Sequence, residues 1–247
     1  MATRKMTRQL PRRVPRLLDL RVAGLPFELP VFPIAGALLL PGGKLPLNVF
    51  EPRYLALIED VLSGDRLFGM IQPSVSMAEP DPETADEPDT GSDDASTPLF
   101  GVGCVGRLSS FAERQDGTCS ISLTGLARFR VRHEIEGLHG YRRLAVNYEG
   151  FEKDLDQVGE IDFDREGLLE SLRRYFTHRG FDARWEAIEQ MDDETLLTTL
   201  SMICPLPPAE KQALLEAPTL ADRARTLQAL LEMAGHETED GGKSHAV

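Results

Sequence analysis

The sequence predicts an α+β protein, with strands in the first half, one helix among them, and helices in the second half. Three observations carry this. Between Phe27 and Glu149 the chain is a succession of short apolar runs broken by Gly and Pro, several of them alternating with period two. The stretch Pro52–Gly64 interrupts them with helical spacing. After about residue 160 the period changes to 3.6.

The predicted strands come in order as FELPVFPI, GALLLP, KLPLNVF, LFGMIQP, LFGVGCVGRL, CSISLTGL, ARFRVRHEI and YRRLAVNYE. Alternation is clearest from Cys119 to Thr124 and from Phe129 to Arg132, the mark of a half-buried strand. Gln115-Asp116-Gly117-Thr118 supplies a hairpin turn, because Gly adopts positive φ at little cost. This many short strands suggest a β-sandwich or barrel. In the intervening helix Pro52 suits the first position, where its missing N–H costs nothing. Tyr54, Leu55, Ile58, Val61 and Leu62 form its apolar face, and Gly64 is expected to cap it.

In the second half, Leu168, Leu169, Leu172, Tyr175 and Phe176 make one stripe, closed by Gly180. Trp185, Ile188 and Met191 begin another. Leu196, Leu197, Leu200 and Ile203 make a third, halted by Pro205-Leu-Pro-Pro. Ala209–Leu215 reads as a short helix. Thr219 suits an N-cap, with Asp222 three residues on and Leu220, Ala224, Leu227, Leu230 and Leu231 following. The expected organisation is a basic flexible tail (1–24), a β-rich unit (25–155) containing an acidic disordered loop (74–98), a helical bundle (156–235) and a frayed polar tail (236–247).

Composition narrows the function. The chain has 247 residues, 41% of them hydrophobic, and a net charge of −13. That is enough apolar mass for a core, and the acidity repels a phosphate backbone, so nucleic acid is an unlikely partner. The charge is uneven. Residues 1–21 carry Arg4, Lys5, Arg8, Arg12, Arg13, Arg16 and Arg21 against Asp19 alone, a solvated tail with an organelle transit peptide or an anionic-surface contact as alternatives. Residues 79–94 hold eight acids and no base, read as solvated loop rather than as a lure for a basic partner. No run is long and apolar enough for a membrane span, and no secretory signal opens the chain. The dispersed Cys104, Cys119 and Cys204 form no CxxC and fit a reducing compartment, hence the cytoplasm; Cys104 and Cys119 read as buried small strand residues rather than nucleophiles.

Motifs for catalysis fail one by one. Gly242-Lys243-Ser244 has Glu237 where a P-loop needs Gly, and Gly42-Gly43-Lys44 is followed by Leu45. Gly101-Val-Gly-Cys-Val-Gly spells GxGxxG but runs on as a strand. No pair among His133, His139, His178, His236 and His245 has metal-ligand spacing, and there is no GxSxG. Asp192, Asp193 and Glu194 read as the charged first turn of a helix. No catalytic residue, metal or cofactor is expected.

The motif order resembles a known family. LPVFPI, then LLLPGGKLPLNVFEPRY, a helix ending LSGDRLFGMIQP, then LFGVGCVGRL, a hairpin and LTGLARFRV look like the N-terminal, substrate-binding domain of Lon protease. The tail CPLPPAEKQALLEAPTLADRARTL is similar to the ending of its stand-alone bacterial relatives. The likeness covers about residues 27–235, and the 74–98 segment is longer than the pattern leads one to expect. The resemblance implies a PUA-like β-rich pseudo-barrel followed by helices. It also implies a non-catalytic module, without ATPase or peptidase parts, that binds unfolded or extended polypeptide as a substrate-recognition or adaptor element, with a protease or chaperone as partner. The alternative of another class is a PUA-like small-molecule or RNA sensor, for which Arg107, Arg128, Arg130, Arg132, Arg142 and Arg143 would have to form one basic face. A peptidase acting alone is the third. Candidate ligand-contact residues are Phe50, Glu51, Arg53 and Tyr54, at a strand-to-helix corner, and Phe111 near the hairpin tip. The structural reading of the corner puts Phe50 and Tyr54 in the core and pairs Glu51 with Arg53; Phe111 is either exposed or caps the β-rich unit.

Overall fold

The computed structural model describes residues 21–74, 97–156 and 159–241. The elements run β1 (Glu28–Pro33), β2 (Lys44–Val49), α1 (Pro52–Ser63), β3 (Leu67–Ile71), β4 (Val102–Glu113), β5 (Cys119–Leu138), β6 (Tyr141–Asn147), α2 (Arg165–Arg179), α3 (Trp185–Glu189), α4 (Asp193–Ile203), α5 (Pro208–Glu216) and α6 (Leu220–Gly241). A 3-10 turn, Val22–Gly24, precedes β1 and buries Val22, so ordered packing begins inside the stretch read as a tail. The basic head to residue 20, most of the acidic segment and the last residues, with Gly242-Lys243-Ser244, lie outside the described residues.

Two strand expectations are corrected. Leu38, Leu39 and Leu40 form a buried loop, not a strand; the bond from the Gly43 amide to the Leu40 carbonyl turns the chain there. CSISLTGL and ARFRVRHEI are one twenty-residue strand, β5. Its Gly125 sits where a Cβ would lie 2.0 Å from the Leu40 carbonyl oxygen, so the glycine marks a close approach and not a turn.

The mixed sheet has the order β2-β5-β4-β3-β1-β6, with β5 also pairing β6. Pairing therefore closes a circuit through β5, β4, β3, β1 and β6. The β1–β3 pair is parallel and its connection carries α1, as a parallel crossover requires. The β5–β6 hairpin turns through His139 and Gly140, both at positive φ. The other hairpin is the predicted one: Gly117 has φ +81°, and the Asp116 carboxylate accepts from the Thr118 amide at 3.0 Å. Phe129 of β5 fills the enclosed face, in one core with Val31, and occupies the space over Gly69 and Gly103, where a Cβ would lie 2.9 and 2.4 Å from its ring.

The opposite face carries a second core, which runs without a break from Leu39, Phe68 and Leu123 through Tyr54, Leu57 and Ile58 of α1 to Leu172, Leu196, Leu200 and Leu227 of the later helices. The helix ends follow their sequence signals. Asp164, Asp192 and Thr219 accept from backbone amides three residues on, and Gly180 closes α2 at φ +68°. Two signals are corrected. Gly64 caps α1 without positive φ, the left-handed residue being Arg66 (φ 62°). α6 continues to Gly241, past the point where fraying was expected.

Candidate functional site

β5 has two edges. β4 occupies one from Cys119 to Arg130. The other is shared end to end, by β2 over Cys119–Thr124 and β6 over Arg130–Leu138. The gap between β2 and β6 is closed by Asp154, whose carboxylate accepts from the Arg128 amide at 2.8 Å and from its guanidinium at 2.9 and 2.7 Å. The same guanidinium donates to the carbonyls of Leu215, in the last turn of α5, and Ala217, just after it. Both partners are buried, which only so complete a set of partners permits.

α5 is held to the sheet by further polar groups. The Gln72 side chain donates to the Pro208 carbonyl and to Gln212, and accepts from the Gly36 amide. Gln212 donates to the Val102 carbonyl at 3.0 Å. The Lys211 ammonium donates to the carbonyls of Gly36 and Met202, and burial lowers its pKa.

Among the described residues β2 pairs only with β5, which leaves its outer edge open. Beside it lies a cleft of about 580 Å³, walled by residues 42–46 on one side and by Glu194, Thr195, Thr198, Met202 and Ile203 of α4 on the other. Gly43 allows the close approach of the two walls: a Cβ there would lie 2.3 Å from the Met202 Sδ. Ile203 was expected in the apolar stripe of α4, but it is 59% exposed, because α4 ends there and the chain turns to bury Cys204 instead. The Glu194 carboxyl is pushed above its ordinary pKa by burial and by neighbouring Asp192. A second, more apolar hollow of about 370 Å³ lies between Val22, Phe27, Tyr148 and Leu155.

The residues singled out from sequence fall in three environments. Glu51 and Arg53 pair at 2.8 Å. Tyr54 is buried and stacked on Phe32 at 3.8 Å. Phe50 was expected in the core of the corner and is 68% exposed: β2 buries its odd-numbered side chains, so the residue after Val49 points outward. Phe111 is exposed; it lies across β5 from Leu47, through the buried Ile121.

Three of the six arginines required by the sensor reading are neutralised by carboxylates. Arg128 is spent on Asp154, Arg142 pairs with Glu134, Arg143 pairs with Glu28, and Arg130 lies over the Phe151 ring. The three cysteines are buried free thiols. Burial pushes Cys104 far up and Cys204 to about 12, so neither is poised as a thiolate. Among the described residues no three His, Cys, Asp or Glu are grouped to hold a metal, and no helix is long and apolar enough to cross a membrane.

Sequence reasoning missed Asp154, the Gln72–Gln212 pair and the α4 wall of the cleft. The adjacent glycines 42 and 43, unlike the rest, were a usable signal: two in succession mark a place where another element comes close.

Comparison with known proteins agrees with this architecture. The chain is 27% identical over 212 residues to Lon protease 2 of Myxococcus xanthus, which covers 84% of this chain and 24% of that protein. It is 32% identical over 147 residues to Lon protease 2 of Sorangium cellulosum, covering 59% of this chain and 16% of that protein. It thus spans about a quarter or less of these relatives. Its fold is similar to that of a Lon N-terminal domain protein from Xanthomonas campestris, with a TM-score of 0.53 and 22% identity over 82% of this chain and 97% of that one. Residues 28–233 match the family described as the ATP-dependent protease La (LON) substrate-binding domain, and the chain belongs to that family.

Proposed function

We propose that this chain binds unfolded or extended segments of other polypeptides, as a substrate-recognition or adaptor module that does no chemistry of its own. Membership of the Lon substrate-binding family carries the reading. The exposed Phe27, Phe50, Phe111 and Ile203 support it, since large apolar groups kept in water favour clients that also expose apolar groups. On this reading the closed circuit of strands is a PUA-like pseudo-barrel, and α2–α6 form a bundle seated on it. A protease or chaperone is the partner, in the cytoplasm.

Of the residues marked from sequence, Phe50 and Phe111 are the candidates for client contact. Glu51, Arg53 and Tyr54 brace the corner that presents Phe50. Affinity is modest, because ordering a flexible client offsets part of the contact energy. Titration with a reduced, alkylated protein and with the same protein folded tests this. Binding to the unfolded form alone is expected, and equal, negligible binding to both refutes it.

A further inference from the structure

The geometry points to a place for that binding: the open edge of β2, with the α4 wall beside it, takes one extended, apolar client segment bearing a lysine or arginine as an added strand. This rests on the polypeptide-binding reading above.

Four observations carry it. Residues 42–46 line the cleft consecutively. A sheet face exposes every second side chain, so a run of both parities means that the edge of the strand looks into the cleft. Second, the Gly43 carbonyl accepts from the Gly125 amide. The two-residue period then turns the backbone groups of 45, 47 and 49 toward β5 and those of 44, 46 and 48 outward. Pro46 has no N–H to lose there, which is where an edge strand tolerates proline. The edge therefore offers the amides of Lys44 and Asn48 and the carbonyls of 44, 46 and 48 to another backbone.

Third, the facing wall is apolar at its Met202–Ile203 end, Ile203 being exposed and Met202 half-buried, while Glu194 and Thr195 expose polar groups at the other end. Ile203 and Met202 are placed to meet alternate side chains of an added strand. Fourth, the charges select the client. Glu194 has no ion pair or hydrogen bond among the described residues, and its carboxyl is partly buried at the cleft. A basic side chain beside it supplies the missing counter-charge, and the net charge of −13 draws basic segments from a distance. The same charge opposes a second copy of this chain as the occupant.

The test uses the full chain and two short peptides, one alternating valine with lysine and one valine with glutamate. Binding of the lysine peptide is expected to protect the Lys44 and Asn48 amides from hydrogen exchange. Ile203→Asp, at an exposed position, is expected to weaken binding at least about tenfold with unchanged thermal unfolding. Thr195→Trp, which fills the cleft from its other end, should do the same. Glu194→Gln should reduce the preference for the lysine peptide. Protection that appears elsewhere, or Ile203→Asp and Thr195→Trp variants that bind like the parent, overturns the site while leaving unfolded-protein binding intact. A parent that binds neither the peptides nor the alkylated protein overturns the general reading as well. A parent dimer that Ile203→Asp makes monomeric would assign the edge to a second copy instead.

Discussion

The helical half meets the sheet along two seams of opposite chemistry. One is apolar: Leu168 and Leu172 of α2, Leu196, Leu197 and Leu200 of α4, and Leu227 and Leu231 of α6 share a core with Leu39, Phe68 and Leu123. The other is polar: Lys211 and Gln212 of α5 and the carbonyls of Leu215 and Ala217 bond to Gln72, Gly36, Val102 and the Arg128–Asp154 pair. The apolar seam supplies attraction without direction. The polar seam supplies direction, since each bond is met at one position only, and it is costly to break by halves.

The contrast is sharpest at Asp154. Asp154→Ala leaves a buried guanidinium without its counter-charge and the Arg128 amide without its acceptor, and is expected to cost about 3–5 kcal/mol by denaturant unfolding. A loss under about 1 kcal/mol would show that water replaces the carboxylate. On the apolar side, Leu200→Ala opens a cavity at a side chain 1% exposed. It should cost about 2–5 kcal/mol, and a loss near the bottom of that range would mean that α4 collapses onto the space. Gln212→Ala leaves the Val102 carbonyl without its donor, for about 1–3 kcal/mol. Paired with Gln72→Ala in a double-mutant cycle, it should show coupling; strict additivity would deny that the polar seam acts as a unit.

A smaller effect lies outside both seams, where the β5–β6 hairpin touches α1. Asp60 accepts from His139 Nδ1 and from the Tyr141 hydroxyl, each at 2.8 Å. The bond from His139, then that from Tyr141, holds the Asp60 carboxyl below its ordinary 3.8. Its contribution is present above that value and is lost as pH falls through the lowered one. Burial, then the bond to Asp60, pushes the Tyr141 phenol up to about 12 from 10.0. Its contribution is complete below pH 10 and is lost as pH rises through about 12. Tyr141→Phe should abolish the alkaline loss and weaken the acid one in thermal melts across pH; an unchanged alkaline limb would assign that loss to another group. Smallest of all, Arg53→Ala breaks a part-exposed pair with Glu51 and should cost under about 1 kcal/mol. A larger loss would mean that the corner below Phe50 bears on the core.

The two seams also divide what the sequence made legible. The stripe Leu196-Leu197-Leu200 and its Asp192 cap are local patterns, so α4 and its buried face could be read directly. The polar seam joins residues up to 175 positions apart, Gly36 to Lys211, and Gln72 to Gln212 across 140. No periodicity announces a glutamine that will meet another so far along the chain. Leu38–Leu40 misled in the other direction, because an apolar run is buried equally well in a loop when its backbone finds partners. Phe50 misled because strand parity, not hydrophobicity, decides which way it points. At the candidate site the corner Phe50–Tyr54 and Phe111 were legible as distinctive aromatics. The cleft was not, since one wall comes from β2 and the other from a helix some 150 residues later.

Strand β5 has a last consequence. Its twenty residues are the common partner of β2, β4 and β6. A nick by a contaminating protease near Leu126 would part the stretch that retains β2 from the stretch that retains β6, leaving β4 to bridge the break alone. A cut within β5 should therefore lead to complete degradation, with no fragment ending near Leu126 accumulating on a gel.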